Sequence, residues 1–304
     1  MIVSSPAEFL SVYSAKRFPA TAPATARAAF LVAPNDFSLA QESARDNRYM
    51  AMQAGVDAMR ALGEHAALAA ALRESVPTIV FPGDAATPDA VFPNNVFATA
   101  PGRAVVGAMR HAVRRREAAR ADIRAFFRDL LHYEIVDLST QPLVAELTGA
   151  LVIDRARRIG YCGLSERCDR AGAEAMHRAF DLQLTFCFDL APGEYHANVV
   201  LAQLASRALI VAPDGFADPA AAEAIAQVYA PRVLRISAAQ KSAFAGNAIA
   251  LDAENVWMSV GAAATLDAAQ RGALADWGFS LRSVALDEIE KAGGSLRCCV
   301  GEIF

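Results

Sequence analysis

Five side chains able to carry or support covalent chemistry recur at nearly one interval. Asn95, Glu146, His196, Asn247 and Cys298 are separated by 51, 50, 51 and 51 residues. A thiolate attacks an electrophilic carbon, and an imidazole moves protons near neutral pH. A carboxylate orients that imidazole or accepts hydrogen bonds from substrate nitrogens, while an amide both donates and accepts. Taken singly, a cysteine beside a strand is more often inert core, and a lone histidine is as often satisfied by backbone. Their common phase changes that balance. If the chain repeats one unit about every fifty residues, and the units stand around an axis, equivalent positions face the same end.

The elements that would position these groups follow the same rhythm. Short strands are expected at 96–99 and 103–107 around the turn Ala100-Pro101-Gly102, then a helix over 111–131 and a strand over 133–138. The order returns as a hairpin at 150–154 and 158–162, a helix over 166–180 and a strand over 182–188. A third unit spans 198–202, 208–212, 218–229 and 233–236, and a fourth 248–252, 255–260, 265–277 and 279–285. The strand expected at 29–33, a long helical stretch over 38–74 and a strand at 78–81 lack a hairpin partner, as does the final strand at 299–304. Pairing last with first completes a fifth unit. The expected architecture is a five-bladed α/β propeller of ββαβ-type repeats, residues 1–304 forming one domain, with terminal strands closing the ring and hiding their edges.

Composition narrows the classes. Apolar residues make up 54% of the chain and charged residues 20%, which suits a large buried core. With 29 basic and 33 acidic residues, the net charge of -4 gives no footprint for nucleic acid or an anionic membrane. The longest apolar runs, such as Ala66–Leu72, fall far short of the roughly 20 residues of a membrane helix. No basic, apolar leader opens the sequence, so a cytoplasmic location is expected. The odd count of five cysteines argues against a disulfide framework. Neither zinc-ligand spacing nor a phosphate-cradling glycine motif is present, so no metal or organic cofactor is expected.

Several segments carry a resemblance. They are Phe92-Pro93-Asn94-Asn95, Glu146-Leu147-Thr148-Gly149 continuing to Arg155, and Leu164-Ser165-Glu166-Arg167. Tyr195-His196-Ala197-Asn198, Gly246-Asn247 and the run from Gly294 through Cys298-Cys299 to Phe304 complete the set. In order and spacing the chain resembles the guanidine-modifying, or pentein, superfamily of arginine deiminases, dimethylarginine hydrolases, succinylarginine dihydrolases and amidinotransferases. More narrowly, it resembles the arginine deiminase-related branch of citrulline-utilisation hydrolases. The resemblance implies that Cys298 attacks the central carbon of a guanidino or ureido group, that His196 protonates the leaving amine and then activates water, and that Glu146 accepts from substrate nitrogens.

The candidate substrate-binding residues are Asn95, Asn198, Asn94, Phe92 and Arg297. Deiminase-like members carry Asp where this chain has Asn95 and Asn198. A cationic guanidinium favours two carboxylates, whereas a neutral ureido group leaves such charges poorly compensated. The expected substrate is therefore citrulline or a related amino acid, releasing ornithine, ammonia and carbon dioxide. The alternatives are an arginine or methylarginine hydrolase, an amidinotransferase, or a non-catalytic propeller used for binding, like the pentein-fold ribosomal initiation factor. Leu147, Val96 and Cys299 depart from the family's usual Gly, Trp and Met, which the resemblance implies either reshapes the pocket or reduces activity. No nucleic-acid or membrane partner is expected; a homo-oligomer is compatible with the sequence.

Overall fold

Short apolar runs broken by tight turns favour hairpins over long strands. Phe97–Ala100 turns through Pro101-Gly102 into Arg103–Val106, and Gly102 takes the left-handed φ of +72° that a two-residue hairpin loop needs. The computed structural model describes residues 1–304 and has a mixed α/β fold with five separate small sheets, none closed on itself. In three of them an antiparallel hairpin is followed by a strand parallel to its second member. These are Phe97–Ala100, Arg103–Val106 and Glu134–Asp137; Leu151–Asp154, Ile159–Leu164 and Leu184–Asp189; and Leu201–Leu204, Ala208–Val211 and Val233–Arg235. A fourth sheet is assembled across the sequence: Gly301–Ile303 runs antiparallel to Ala28–Val32, which pairs parallel with Thr78–Phe81.

Helices begin where an aspartate can cap them. Asp57, Asp169, Asp218 and Asp267 each accept from backbone N–H groups of the first turn of the helices Ala58–Leu72, Arg170–Ala179, Pro219–Tyr229 and Ala268–Asp276. The Asp267 cap is reciprocated by the Gln270 side chain.

Four sequence expectations are corrected. The stretch over 38–74 is helical only at Ala58–Leu72 and, as one short turn, at Ser43–Arg45, because Asp57 starts the helix and the preceding segment is spent on contacts with the site. The helix over 111–131 is broken into Ala112–Ala118, Ala121–Ala125 and a π turn at Phe126–Leu130. Arg120 leaves the helical region there, and the Arg124 guanidinium caps the Ala118 carbonyl at 2.8 Å. Residues 248–252 form no strand, only a bridge between Ile249 and Trp257, so the fifth sheet has two strands, Asn255–Ser259 and Ser280–Val284. Cys299, expected to open the final strand, lies with Cys298 in a helical turn, Leu296–Cys299, and strand begins only at Gly301. An unforeseen strand, Ile2–Val3, also adds to the second sheet alongside Leu184–Asp189.

Buried His65, on Ala58–Leu72, has an Nε2 atom with no partner, and burial pushes its pKa down to about 4 from 6.5. The unfolded chain therefore binds the proton first as pH falls from about 6.5 to about 4, and stability is lost across that window by roughly 3 kcal/mol. Denaturant titrations at pH 7 and pH 4 should show a smaller loss in His65→Leu than in the unsubstituted chain; equal losses would refute the assignment.

Candidate active site

A single backbone device sets the site's side chains. Pro93–Asn95, Leu147–Ala150, Ala197–Val200 and Leu296–Cys299 are one-turn helices just ahead of a hairpin or terminal strand. In each, an N–H closes on the carbonyl three residues earlier: Val96 on Pro93, Gly149 on Glu146, Val199 on His196 and Cys298 on Ser295, at 3.0–3.3 Å. Asn247 N–H closes on Phe244 at 2.8 Å. Equal spacing in sequence thus becomes one turn repeated in space.

The turns bring the groups together. Glu146 and His196 are fully buried, and His196 Nε2 lies 2.9 Å from Glu146 Oε2. The Cys298 thiol is 1% exposed and receives the Asn247 amide at 3.2 Å, with the Asn198 amide at 3.7 Å. Asn247 also accepts the Cys298 N–H through Oδ1 at 3.3 Å. Gly149 lets the turns approach: a Cβ there would lie 2.5 Å from Asn95 Oδ1 and 2.7 Å from His196 Cε1, so only glycine fits.

A narrow cavity reaches Cys298, lined also by Phe92, Asn95, Asp89, Arg114, Arg167 and Tyr195. Two of its lining residues carry a buried polar atom without a protein partner, Asn95 Oδ1 and Asp89 Oδ1, as do His196 Nδ1 and both amide atoms of Asn94 outside the lining. Each such atom costs about 1–3 kcal/mol unless something binds it, so their clustering marks a ligand site.

Of the sequence-predicted residues, Cys298, Asn95 and Phe92 line this cavity, and Asn198 touches the thiol. Glu146 and His196 form their own pair, and Asn94 adjoins through its carbonyl, which accepts from Thr148. Arg297 is set apart. Its guanidinium donates to the Val300 carbonyl and to Glu302, both at 2.9 Å, and lines a different cavity, so it does not join the thiol's pocket.

Three charged residues escaped the sequence reading. Arg167 donates to Asp46 at 2.7 Å, to the Ser43 carbonyl at 2.9 Å and to Glu146 at 3.2 Å. Arg114 is 3% exposed and bonded to Glu117 and the Phe92 carbonyl. Its one signal was the opposite charge three residues on. Asp89 accepts from the Ser43 hydroxyl, and nothing in its sequence surroundings distinguished it.

Electrostatics define the resting state. Burial opposes ionisation of Glu146, but Arg167 and His196 outweigh it and hold the carboxyl well below the usual range. Burial lowers the His196 pKa, with Glu146 opposing, so the ring is neutral at pH 7. Burial raises the Cys298 thiol above its ordinary 9.0, with the Asn247 hydrogen bond opposing. The resting site is a thiol, a neutral imidazole and a carboxylate. Because the thiolate is the alkylating form, inactivation by iodoacetamide should accelerate with pH and still be climbing at pH 9. A plateau below pH 8 would contradict this protonation state. No group of three or more His, Cys, Asp or Glu side chains is placed to hold a metal ion.

Comparison with known proteins agrees with the fold. The N-terminal domain of ArgZ bound to substrate, described as an arginine dihydrolase of the ornithine-ammonia cycle in cyanobacteria, superposes with a TM-score of 0.78 at 20% identity, covering 91% of this chain and 97% of that one. AgrE with L-arginine gives 0.78 at 20% identity, 91% of this chain spanning 40% of that longer one. A dimethylarginine dimethylaminohydrolase adduct with S-methyl-L-thiocitrulline gives 0.72 at 20% identity, covering 91% and 99%. No curated protein matches the sequence significantly. The sequence profile of the N,N dimethylarginine dimethylhydrolase family, eukaryotic, matches residues 33–304. The chain belongs to that family, within the pentein superfamily of hydrolases that open non-peptide C–N bonds through a covalent cysteine intermediate.

Proposed function

We propose that this protein is a cofactor-free hydrolase of the guanidino carbon of a free arginine-type amino acid, arginine or a methylated arginine. The observation that carries this is the set of unpartnered buried polar atoms around the Cys298 cavity. Arg114 and Arg167 suit the substrate carboxylate and Asp89 its ammonium, while Asn95 and His196 Nδ1 face the reacting end. The family match, the arginine dihydrolase ArgZ and the L-arginine complex of AgrE favour the guanidino group over citrulline as first substrate. The five sheets then serve as the blades of an α/β propeller, residues 1–304 acting as one catalytic domain.

In the reaction, the Cys298 thiol passes its proton to Nδ1 of the neutral His196 ring as the S–C bond forms at the guanidino carbon. His196, held at Nε2 by Glu146, uses Nδ1 to deliver a proton to the departing nitrogen as the C–N bond breaks. The same Nδ1 takes a proton from water as its oxygen adds to the carbon, and breaking the C–S bond regenerates the thiol. One water is consumed; a ureido product and one amine leave.

A second reading rests on the thiol's neighbours. Both side-chain contacts of Cys298 Sγ are neutral amides, Asn198 and Asn247. Such a surrounding accommodates a neutral ureido group, so citrulline is a substrate or is carried onward to ornithine, ammonia and carbon dioxide. Incubation with arginine, dimethylarginine and citrulline separately, following citrulline, ornithine, ammonia and dimethylamine, tests both. Turnover of arginine or dimethylarginine is the expected result. Turnover of citrulline alone would restore the ureido group as the substrate, and no turnover of any would sink the hydrolase of free arginine-type amino acids.

A further inference from the structure

Beyond the Asn198 layer from the thiol lies a second, small cavity. Its charged lining is Arg155, Arg297 and Glu302, with Gln203 as a further polar side chain. All three charged side chains are about nine-tenths buried, at 10%, 12% and 12% exposure. One carboxylate therefore serves two guanidinium groups, at 2.9 Å from Arg297 and 3.8 Å from Arg155. Arg155 is otherwise held by one bond to the Thr99 carbonyl at 2.8 Å and by stacking on Phe304, its carbon 4.2 Å from the ring centre. The Gln203 amide nitrogen is buried without an acceptor.

Burying a second cation without a counter-charge is unfavourable, and so is burying an amide donor with no acceptor. Burial lowers the Arg155 pKa to about 10, with Arg297 adding to the effect and Glu302 opposing it. Both deficits are met by one ligand that brings negative charge and two or more acceptor oxygens. We propose that this cavity binds a compact oxyanion, a carboxylate or a phosphate, between Arg155 and the Gln203 amide. Arg155 also lines a larger neighbouring cavity with Arg103, Arg158 and Asp181, where Asp181 pairs with Arg158 at 2.6 Å. The site is separate from the Cys298 cavity, shares no lining residue with it, and stands whatever the substrate is.

Thermal unfolding of the full chain in buffer free of other oxyanions provides the test, with sodium phosphate and sodium acetate titrated separately. At about 20 mM a bound anion should raise Tm by about 3 °C or more. A rise with phosphate alone assigns a tetrahedral ligand, and with acetate alone a carboxylate; either supports the site. Gln203→Glu places the missing carboxylate in the cavity and should abolish the rise. Should that variant fail to fold, Gln203→Met removes the donor without adding charge, and should raise the half-saturating concentration about fivefold or more. No shift with either anion, or wild-type anion response in the Gln203 variants, overturns the proposal.

Discussion

Cys298→Ala should abolish turnover, by about 10⁴-fold or more, while leaving the fold intact. The thiol is the one soft nucleophile reaching the cavity, and Cys299 beside it faces the apolar core. Removing one sulfur from a packed turn costs about 1–2 kcal/mol at most, which a chain of this size tolerates. Activity and thermal unfolding measured on the same sample separate the two effects. Residual activity within about tenfold of the unsubstituted chain would mean that another group forms the covalent bond. Because Asn198 and Asn247 donate to sulfur rather than shape the cavity wall, substrate affinity should survive the substitution. Trapped substrate in the variant would therefore be visible by calorimetry.

Glu146→Gln is the second large effect, and it acts on both stability and rate. The carboxylate is fully buried and shared among His196 Nε2, Arg167 and the Arg110 N–H. Its ionised form is favoured because Arg167 and His196 together overcome the burial that opposes it. A neutral amide leaves the buried Arg167 facing only Asp46, a loss of about 3–5 kcal/mol. It also frees the His196 ring, so proton delivery through Nδ1 loses its fixed direction, and kcat should fall by about 10²–10⁴-fold. The decisive readout is the split: a kcat loss without a matching rise in KM marks a positioning carboxylate. A changed KM with unchanged kcat would instead make Glu146 a substrate contact.

How far the sequence carried can be judged residue by residue. The interval linking Asn95, Glu146, His196, Asn247 and Cys298 was readable because one backbone turn is reused, and a reused turn leaves a period. The three regular hairpin units were readable because strand period and turn residues agreed locally. The unit around 248–260 forms no hairpin: Ile249 and Leu251 look like strand and face a core, but pairing stops at the single Ile249–Trp257 bridge. Arg114, Arg167 and Asp89 were invisible as site residues for another reason. A buried charge is defined by what packs over it, and here the cover comes from residues more than a hundred positions away, such as Ser43 and Asp46 on Arg167. Arg297 was misplaced for the converse reason, because adjacency to Cys298 in sequence does not fix where a long side chain ends.

The reused turn also governs the order in which this molecule can become competent. Asn198 and Cys298 meet across 100 residues, Glu146 and His196 across 50, and Thr99 receives the Phe304 N–H across 205. Closures of such length come late, since chain entropy is spent before the contact repays it. Three of the sheets can gather their hairpins early, yet the thiol has no neighbours until the last turn docks. Chemical reactivity of this site is thus a report on completed folding, and a partly folded chain, however rich in secondary structure, holds its cysteine in an environment unlike that of the finished enzyme.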